Sequence, residues 1–276
     1  MNINAVSQGI SKRYSSLLNF FYSSTYQEEV DKKLHEHILG LNKKLISNTS
    51  NNESIYQALV SQVKSEGYVI LPSVFSGKVL ESIQSEFKEI IGSSATTHHQ
   101  VDRKGDTTCV RVNHHEKHDL KLYPATAAFF NSQALKEITK MYFEESKNGF
   151  DFNTEIFVHE THETDNPLSG AMHWDRAQTL KFWVYIDDIP LEAGPMRVEK
   201  GTVEKNKQIR LKAHVNKEVL IGGIDNVLEV DEKNVAALVA PAGSVIIHDT
   251  DGTHGASQVK PGHVRKIMRG HCRARQ

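Results

Sequence analysis

The chain has 276 residues, 38% hydrophobic and 24% charged, and its 33 Lys and Arg against 34 Asp and Glu leave a formal net charge of -1. That is a globular composition, long enough for one large domain or two small ones, with no global charge to draw it to nucleic acid or an anionic membrane. Its two cysteines, Cys109 and Cys272, exclude a disulfide framework and fit a reducing compartment, so a cytoplasmic location is expected.

No apolar run in the chain approaches the roughly 20 residues of a membrane helix, and the short N-terminal patch 17–22 lacks the order of a signal peptide. Val30, Leu34, Ile38, Leu41 and Leu45 step by four, four, three and four, one stripe of an amphipathic helix. The polar stretch 47–54 ends it, so residues 1–52 read as a helical N-terminal extension to a domain over 53–276. That stripe serves packing or, as a partner-binding face, homo-oligomer formation.

Leu59 and Val63 predict a helix from Ile55, and 68–71 a short strand stopped by Pro72. Leu80, Ile83, Phe87 and Ile90 predict a second helix, 93–106 is loop-like, 107–113 alternates as a strand, and 125–142 reads as one or two helices. After Phe150 short strand-like runs follow one another: 152–159, 171–175, 179–187, 195–199, 217–221, 243–248 and 265–272. Such a run without long intervening helices predicts a sandwich or barrel.

His173-Trp174-Asp175 is the most informative segment. Side chains at i and i+2 of a strand leave from one face, so the imidazole and the carboxylate can reach one metal ion. A third ligand must come from elsewhere, and His254, just after the apolar run 244–247, is the candidate. Two His and one carboxylate with open positions opposite form the facial triad of non-haem Fe(II) oxygenases. Arg265 follows eleven residues later, with a turn at Pro261-Gly262 between. A hairpin on that turn would pair Arg265 near Gln258 and on the face of His254. Its planar fork suits the far carboxylate of a keto-diacid that chelates the iron.

Several longer segments resemble the phytanoyl-CoA dioxygenase family of Fe(II)- and 2-oxoglutarate-dependent oxygenases. They are Gly67-Tyr-Val-Ile-Leu-Pro72 before a helix, His-Trp-Asp at 173–175, Leu180-Lys-Phe-Trp-Val-Tyr-Ile-Asp-Asp-Ile189, Glu192-Ala-Gly-Pro-Met196, Pro241-Ala-Gly-Ser-Val-Ile-Ile-His248, His254 and Arg265. The resemblance covers about residues 55–276 and implies a mainly β fold, a double-stranded β-helix or jelly roll with flanking helices. It implies His173, Asp175 and His254 as iron ligands and Arg265 as the 2-oxoglutarate anchor. It implies hydroxylation of an unactivated carbon with O2, releasing succinate and CO2. Asp175 stands where the family's halogenating relatives carry a small residue, so halogenation is not expected. Arg111 and His159 are candidates for the near carboxylate of 2-oxoglutarate, and Ser257 stands one residue later than a hydroxyl that some members carry. Arg269 would share the face of Arg265 but reads as a solvated arginine at the sheet's end.

The basic stretch Lys200, Lys205, Lys207, Arg210 and Lys212 favours a small polar or anionic substrate. The rival reading is a cupin-type metal-dependent isomerase or hydrolase using the same His/Asp/His site without 2-oxoglutarate; a binding module is a second. His159-Glu-Thr-His162 has the wrong spacing and context for a zinc protease, though with His114 or His115 it could hold zinc, and Asp249-x-Asp251-Gly252 lacks the later ligands of a calcium loop.

Overall fold

The computed structural model describes residues 24–40, 55–92, 98–103, 107–113, 122–144, 146, 148–163, 170–215 and 228–275. The expected strand 217–221, Leu41, Leu45, His114 and His115 lie outside them. Helices α1 (24–40), α2 (Ile55–Glu66), α3 (Gly77–Gly92), α4 (Pro124–Phe130), α5 (Gln133–Tyr142) and α6 (Val203–Val215) flank two sheets. The strands are β1 (Tyr68–Leu71), β2 (His98–Arg103), β3 (Thr107–Asn113), β4 (Phe150–Thr161), β5 (Thr179–Tyr185), β6 (Met196–Glu199), β7 (Val235–Ala237), β8 (Val245–Asp249), β9 (His254–Ala256) and β10 (Arg265–Ala274). Seven form one sheet in the order β1-β8-β5-β10-β4-β3-β2, and three form a second, β7-β6-β9, with antiparallel pairing throughout.

The middle of the large sheet is buried on both faces, and β5 shows why its sequence does not alternate in polarity: all seven residues are buried. Leu180, Phe182 and Val184 join Val245, Ile247, Met268 and Cys272 in a core shared with the helices. The other face turns Trp183, Tyr185, Ile246 and Ile267 toward Met196 and Val198 of the small sheet. The jelly roll therefore has an outer helix-on-sheet core and an inner sheet-on-sheet core, and the chemistry-bearing side chains sit on the inner side.

Helix α1 belongs to the outer core. Val30, Leu34 and Ile38 are buried in it, Tyr26 meets Ser82 of α3 (2.7 Å), and Asp31 Oδ1 accepts the Gln133 backbone N–H of α5 (2.7 Å). The described part of that apolar stripe, Val30, Leu34 and Ile38, is thus covered by the chain's own core. Leu34→Ala is expected to cost about 2–5 kcal/mol of unfolding free energy, read in a urea titration, while metal uptake by the folded protein stays unchanged. No helix among the described residues is long and apolar enough to cross a membrane.

One expected pairing is corrected. Pro261-Gly262 does form a turn, with His263 N–H donating to Lys260 O (3.1 Å). It does not close a β9–β10 hairpin: β9 pairs with β6 in the small sheet, and β10 pairs with β4 and β5 in the large one. Arg265 therefore pairs with Thr161, not near Gln258. The turn carries the chain from one wall of the roll to the other.

Candidate metal centre

His173 and His254 are brought side by side by backbone pairing. His173 N–H donates to His254 O (2.8 Å) and His254 N–H to His173 O (2.7 Å), an isolated antiparallel bridge that sets the rings 4.6 Å apart. Gly255 permits the approach, since a Cβ there would lie 2.8 Å from Ala171 O. Asp175 follows on irregular backbone held by its N–H to Thr250 O (3.0 Å). The sequence predicted a strand over 171–175; the structure gives only this bridge, and it suffices to place both side chains.

Asp175 Oδ1 lies 3.8 Å from His173 Nε2 and 3.9 Å from His254 Nε2. One ligand atom from each residue falls within 4.8 Å of the others, the one such cluster of His, Cys, Asp and Glu among the described residues. Each Nδ1 faces a carbonyl two residues back, Ala171 O at 2.9 Å and Gly252 O at 2.8 Å. A carbonyl only accepts, so Nδ1 carries the proton and each Nε2 keeps its lone pair free for a metal ion. Two imidazoles with Nδ1 tied to carbonyls and one carboxylate suit a divalent first-row metal ion. Burial pushes the His254 imidazole down to about 3, against the pull of Asp175, so it is neutral at any working pH. Burial pushes the Asp175 carboxyl up, but the Lys181 ammonium beside it, through its charge and its hydrogen bond, leads the opposing pull that holds it below the usual carboxylate range.

The loop that carries His254 is anchored from behind. Tyr142 Oη donates to Asp249 Oδ2 (2.5 Å), and Asp251 takes a two-pronged ion pair from Arg210 (3.0 and 2.6 Å). Asn206 Nδ2 donates to Asp251 O (2.7 Å) and Thr253 Oγ1 (3.1 Å). The basic stretch 200–212 is therefore mostly a helix, α6, with Arg210 turned to this loop.

Arg265 is half-buried on the inner face of β10. Its Nη1 donates to Gly194 O and to Ser257 O (3.3 Å), and its Nη2 to Thr161 Oγ1 (3.4 Å). Gly194 sits at φ +69, and a Cβ there would meet Ser257 O at 2.6 Å, so the glycine of the 192–196 segment is needed for this junction. Ser257 meets Arg265 through its carbonyl. His159 is buried on β4, 3.7 Å from Cys109 Sγ, whereas His162 is exposed and pairs with Glu160 (3.0 Å), so the two histidines of the 159–162 motif do not converge. Arg111 lies over the Phe157 ring at 5.9 Å. Arg269 is not a solvated end-of-sheet residue: it is half-buried and stacked on Phe157 (5.1 Å) and Trp183 (5.4 Å), inside the roll.

Lys181 is the residue that sequence reading passed over. Its side chain is 8% exposed and its Nζ lies 2.7 Å from Asp175 Oδ2. Burial pushes its ammonium down to about 8, against the opposing pull of Asp175. The signal was a single charge within the apolar run Thr179-Leu-Lys-Phe-Trp-Val-Tyr185.

The family model of phytanoyl-CoA dioxygenase matches residues 63–267. The chain belongs to the phytanoyl-CoA dioxygenase family. A search of curated proteins finds no match. Among solved structures, the epimerase SnoN, in complex with Fe3+, alpha-ketoglutarate and a nogalamycin compound, is 13% identical, with a TM-score of 0.55 over 80% of this chain and 84% of that one. HygX from Streptomyces hygroscopicus, with nickel and 2-oxoglutarate bound, is 13% identical, with a TM-score of 0.51 over 78% and 85%. The carbocyclase SnoK from nogalamycin biosynthesis is 15% identical, with a TM-score of 0.51 over 82% and 85%. At these identities the likeness is one of fold, and that fold is the jelly roll of non-haem alpha-ketoglutarate-dependent enzymes.

Proposed function

We propose that the protein is an Fe(II)- and 2-oxoglutarate-dependent oxygenase that hydroxylates an unactivated carbon of a small polar molecule. The observation that carries this reading is the convergence of His173 Nε2, His254 Nε2 and Asp175 Oδ1, with both Nδ1 atoms tied to carbonyls. His173, Asp175 and His254 would hold iron(II) and leave coordination positions for other ligands. When bound, iron(II) with 2-oxoglutarate supplies the activation of O2, the keto-diacid leaving as succinate and CO2. Arg265 holds the far carboxylate of 2-oxoglutarate through its fork. Trp183, Tyr185, Ile246 and Ile267 form the buried wall that excludes water. Arg111 and Arg269, stacked on Phe157, are assigned to the substrate or to the near carboxylate.

Anaerobic addition of Fe(II) and 2-oxoglutarate is expected to give a weak visible charge-transfer band that His173→Ala abolishes. No band in the wild-type protein would favour the cupin-type isomerase or hydrolase. A mass-spectrometric screen for substrate-dependent succinate then finds the substrate, and the product mass tests the reaction. A gain of one oxygen is hydroxylation. An unchanged mass is epimerisation and a loss of two hydrogens ring closure, the activities named for SnoN and SnoK, and either replaces the hydroxylase assignment.

A further inference from the structure

Lys181 stands on the inner face of β5 between His248 of β8 and His271 of β10. A buried lysine is costly unless paired, and a hydrophobic residue would stabilise this strand as well or better. Its partner is Asp175 Oδ2 at 2.7 Å, and among the described residues no other group donates to the Asp175 side chain. The other oxygen, Oδ1, faces both imidazoles. The two oxygens of one carboxylate are thus divided, one toward the ammonium and one toward the metal position.

We propose that Lys181 is a positioning residue that pins Asp175 Oδ2, so that Asp175 offers the metal one oxygen and leaves the remaining coordination positions to 2-oxoglutarate and O2. The inference rests on the oxygenase reading above. Three protein donors on an octahedral ion leave three positions, two for the keto-acid chelate and one for O2. A carboxylate free to rotate can bind through both oxygens and take one of those three. The ammonium opposes that rotation by holding Oδ2 in a charge-assisted hydrogen bond. It also offsets the carboxylate's negative charge next to the position where a dianionic co-substrate must enter.

The test uses the full-length protein loaded anaerobically with Co(II), whose visible spectrum reports coordination number. Lys181→Met is expected to keep Co(II) uptake near wild type, change the spectrum before 2-oxoglutarate is added, and weaken 2-oxoglutarate binding about 10–100-fold, the scale of one lost charged hydrogen bond. Lys181→Thr, too short to reach Oδ2, is a second variant with the same expected result should the Met variant not fold. Lys181→Gln can still donate one hydrogen bond to Oδ2 and is expected to restore most of the spectrum and the affinity. In an Asp175→Gly background held at saturating Co(II), Lys181→Met is expected to change 2-oxoglutarate affinity no further. An unaltered spectrum and affinity in the Met and Thr variants would overturn the proposal. So would a loss that persists without Asp175, because Lys181 would then touch the keto-acid itself. A wild-type protein that takes up no Co(II), or whose uptake survives His173→Ala, would overturn the oxygenase reading and this inference with it.

Discussion

Asp175→Ala is expected to abolish coupled substrate oxidation. Its carboxylate is the one anionic donor in the candidate triad, and its loss leaves only two imidazoles at the metal position. It also strips Lys181 of the carboxylate 2.7 Å away. Asp175→Asn separates the two effects: its amide oxygen can still accept from Lys181, but the negative charge is gone. The Asn variant is therefore expected to melt closer to wild type than the Ala variant, while both bind iron poorly. Asp175→Glu keeps the charge but moves the oxygen by about a bond length, and misplacement on that scale at a reacting centre can cost about 10²-fold in rate. Product mass in excess chloride checks the reaction class, with the wild-type product gaining one oxygen. Full activity in the Ala variant, or a chlorinated wild-type product, would sink the assignment.

The parts of this site that were legible in the sequence are those fixed by local spacing. His173 and Asp175 are two residues apart, and His254 follows an apolar strand. Whatever the global fold, His173 and Asp175 arrive together, whereas His254 meets them only through its bridge to His173. The strand run 179–187 was legible because both faces of β5 are buried, which leaves a nearly continuous apolar segment. What the spacing could not carry was pairing across the roll. The turn at Pro261-Gly262 forms in either arrangement, and only the packing of two sheets decides that β10 joins β4 and β5 rather than β9. β7 and β9 have three residues each, too short for a period to show. β2 is polar, His98-His-Gln-Val-Asp-Arg103, and read as loop. Helix α6 was hidden because polar groups anchor it: Asn206 and Arg210 hold it to the His254 loop. Arg269 was misread for a related reason. Its side chain is half-buried by stacking on aromatic faces, which hydropathy counts as a charge and therefore as solvent-facing.

Arg265→Ala is expected to raise the 2-oxoglutarate requirement far more than it lowers iron affinity. The guanidinium is held by two main-chain carbonyls, of Gly194 and Ser257, and by the Thr161 hydroxyl. These contacts come from the 192–196 segment, the end of β9 and the end of β4, so the fork is oriented before any ligand arrives. Pre-orientation is what makes a bidentate contact strong, because little side-chain freedom remains to be lost on binding. Truncating one partner of a buried charged hydrogen-bonding pair costs about 2–5 kcal/mol, a factor of roughly 30 to several thousand in affinity. Arg265→Lys keeps the charge without the fork and is expected to recover only part of it. Thr161→Val removes one supporting contact of ordinary strength, about 1 kcal/mol, and is expected to weaken binding roughly fivefold. The order of loss, Ala over Lys over the Thr161 variant, separates an anchor from a residue that only braces the Gly194 junction, since bracing alone would make the Thr161 and Lys variants alike. Anaerobic titration of 2-oxoglutarate into the Fe(II)-loaded proteins reads the series, with metal uptake and thermal melting as controls. An unchanged 2-oxoglutarate affinity in a folded Ala variant would remove Arg265 from the role.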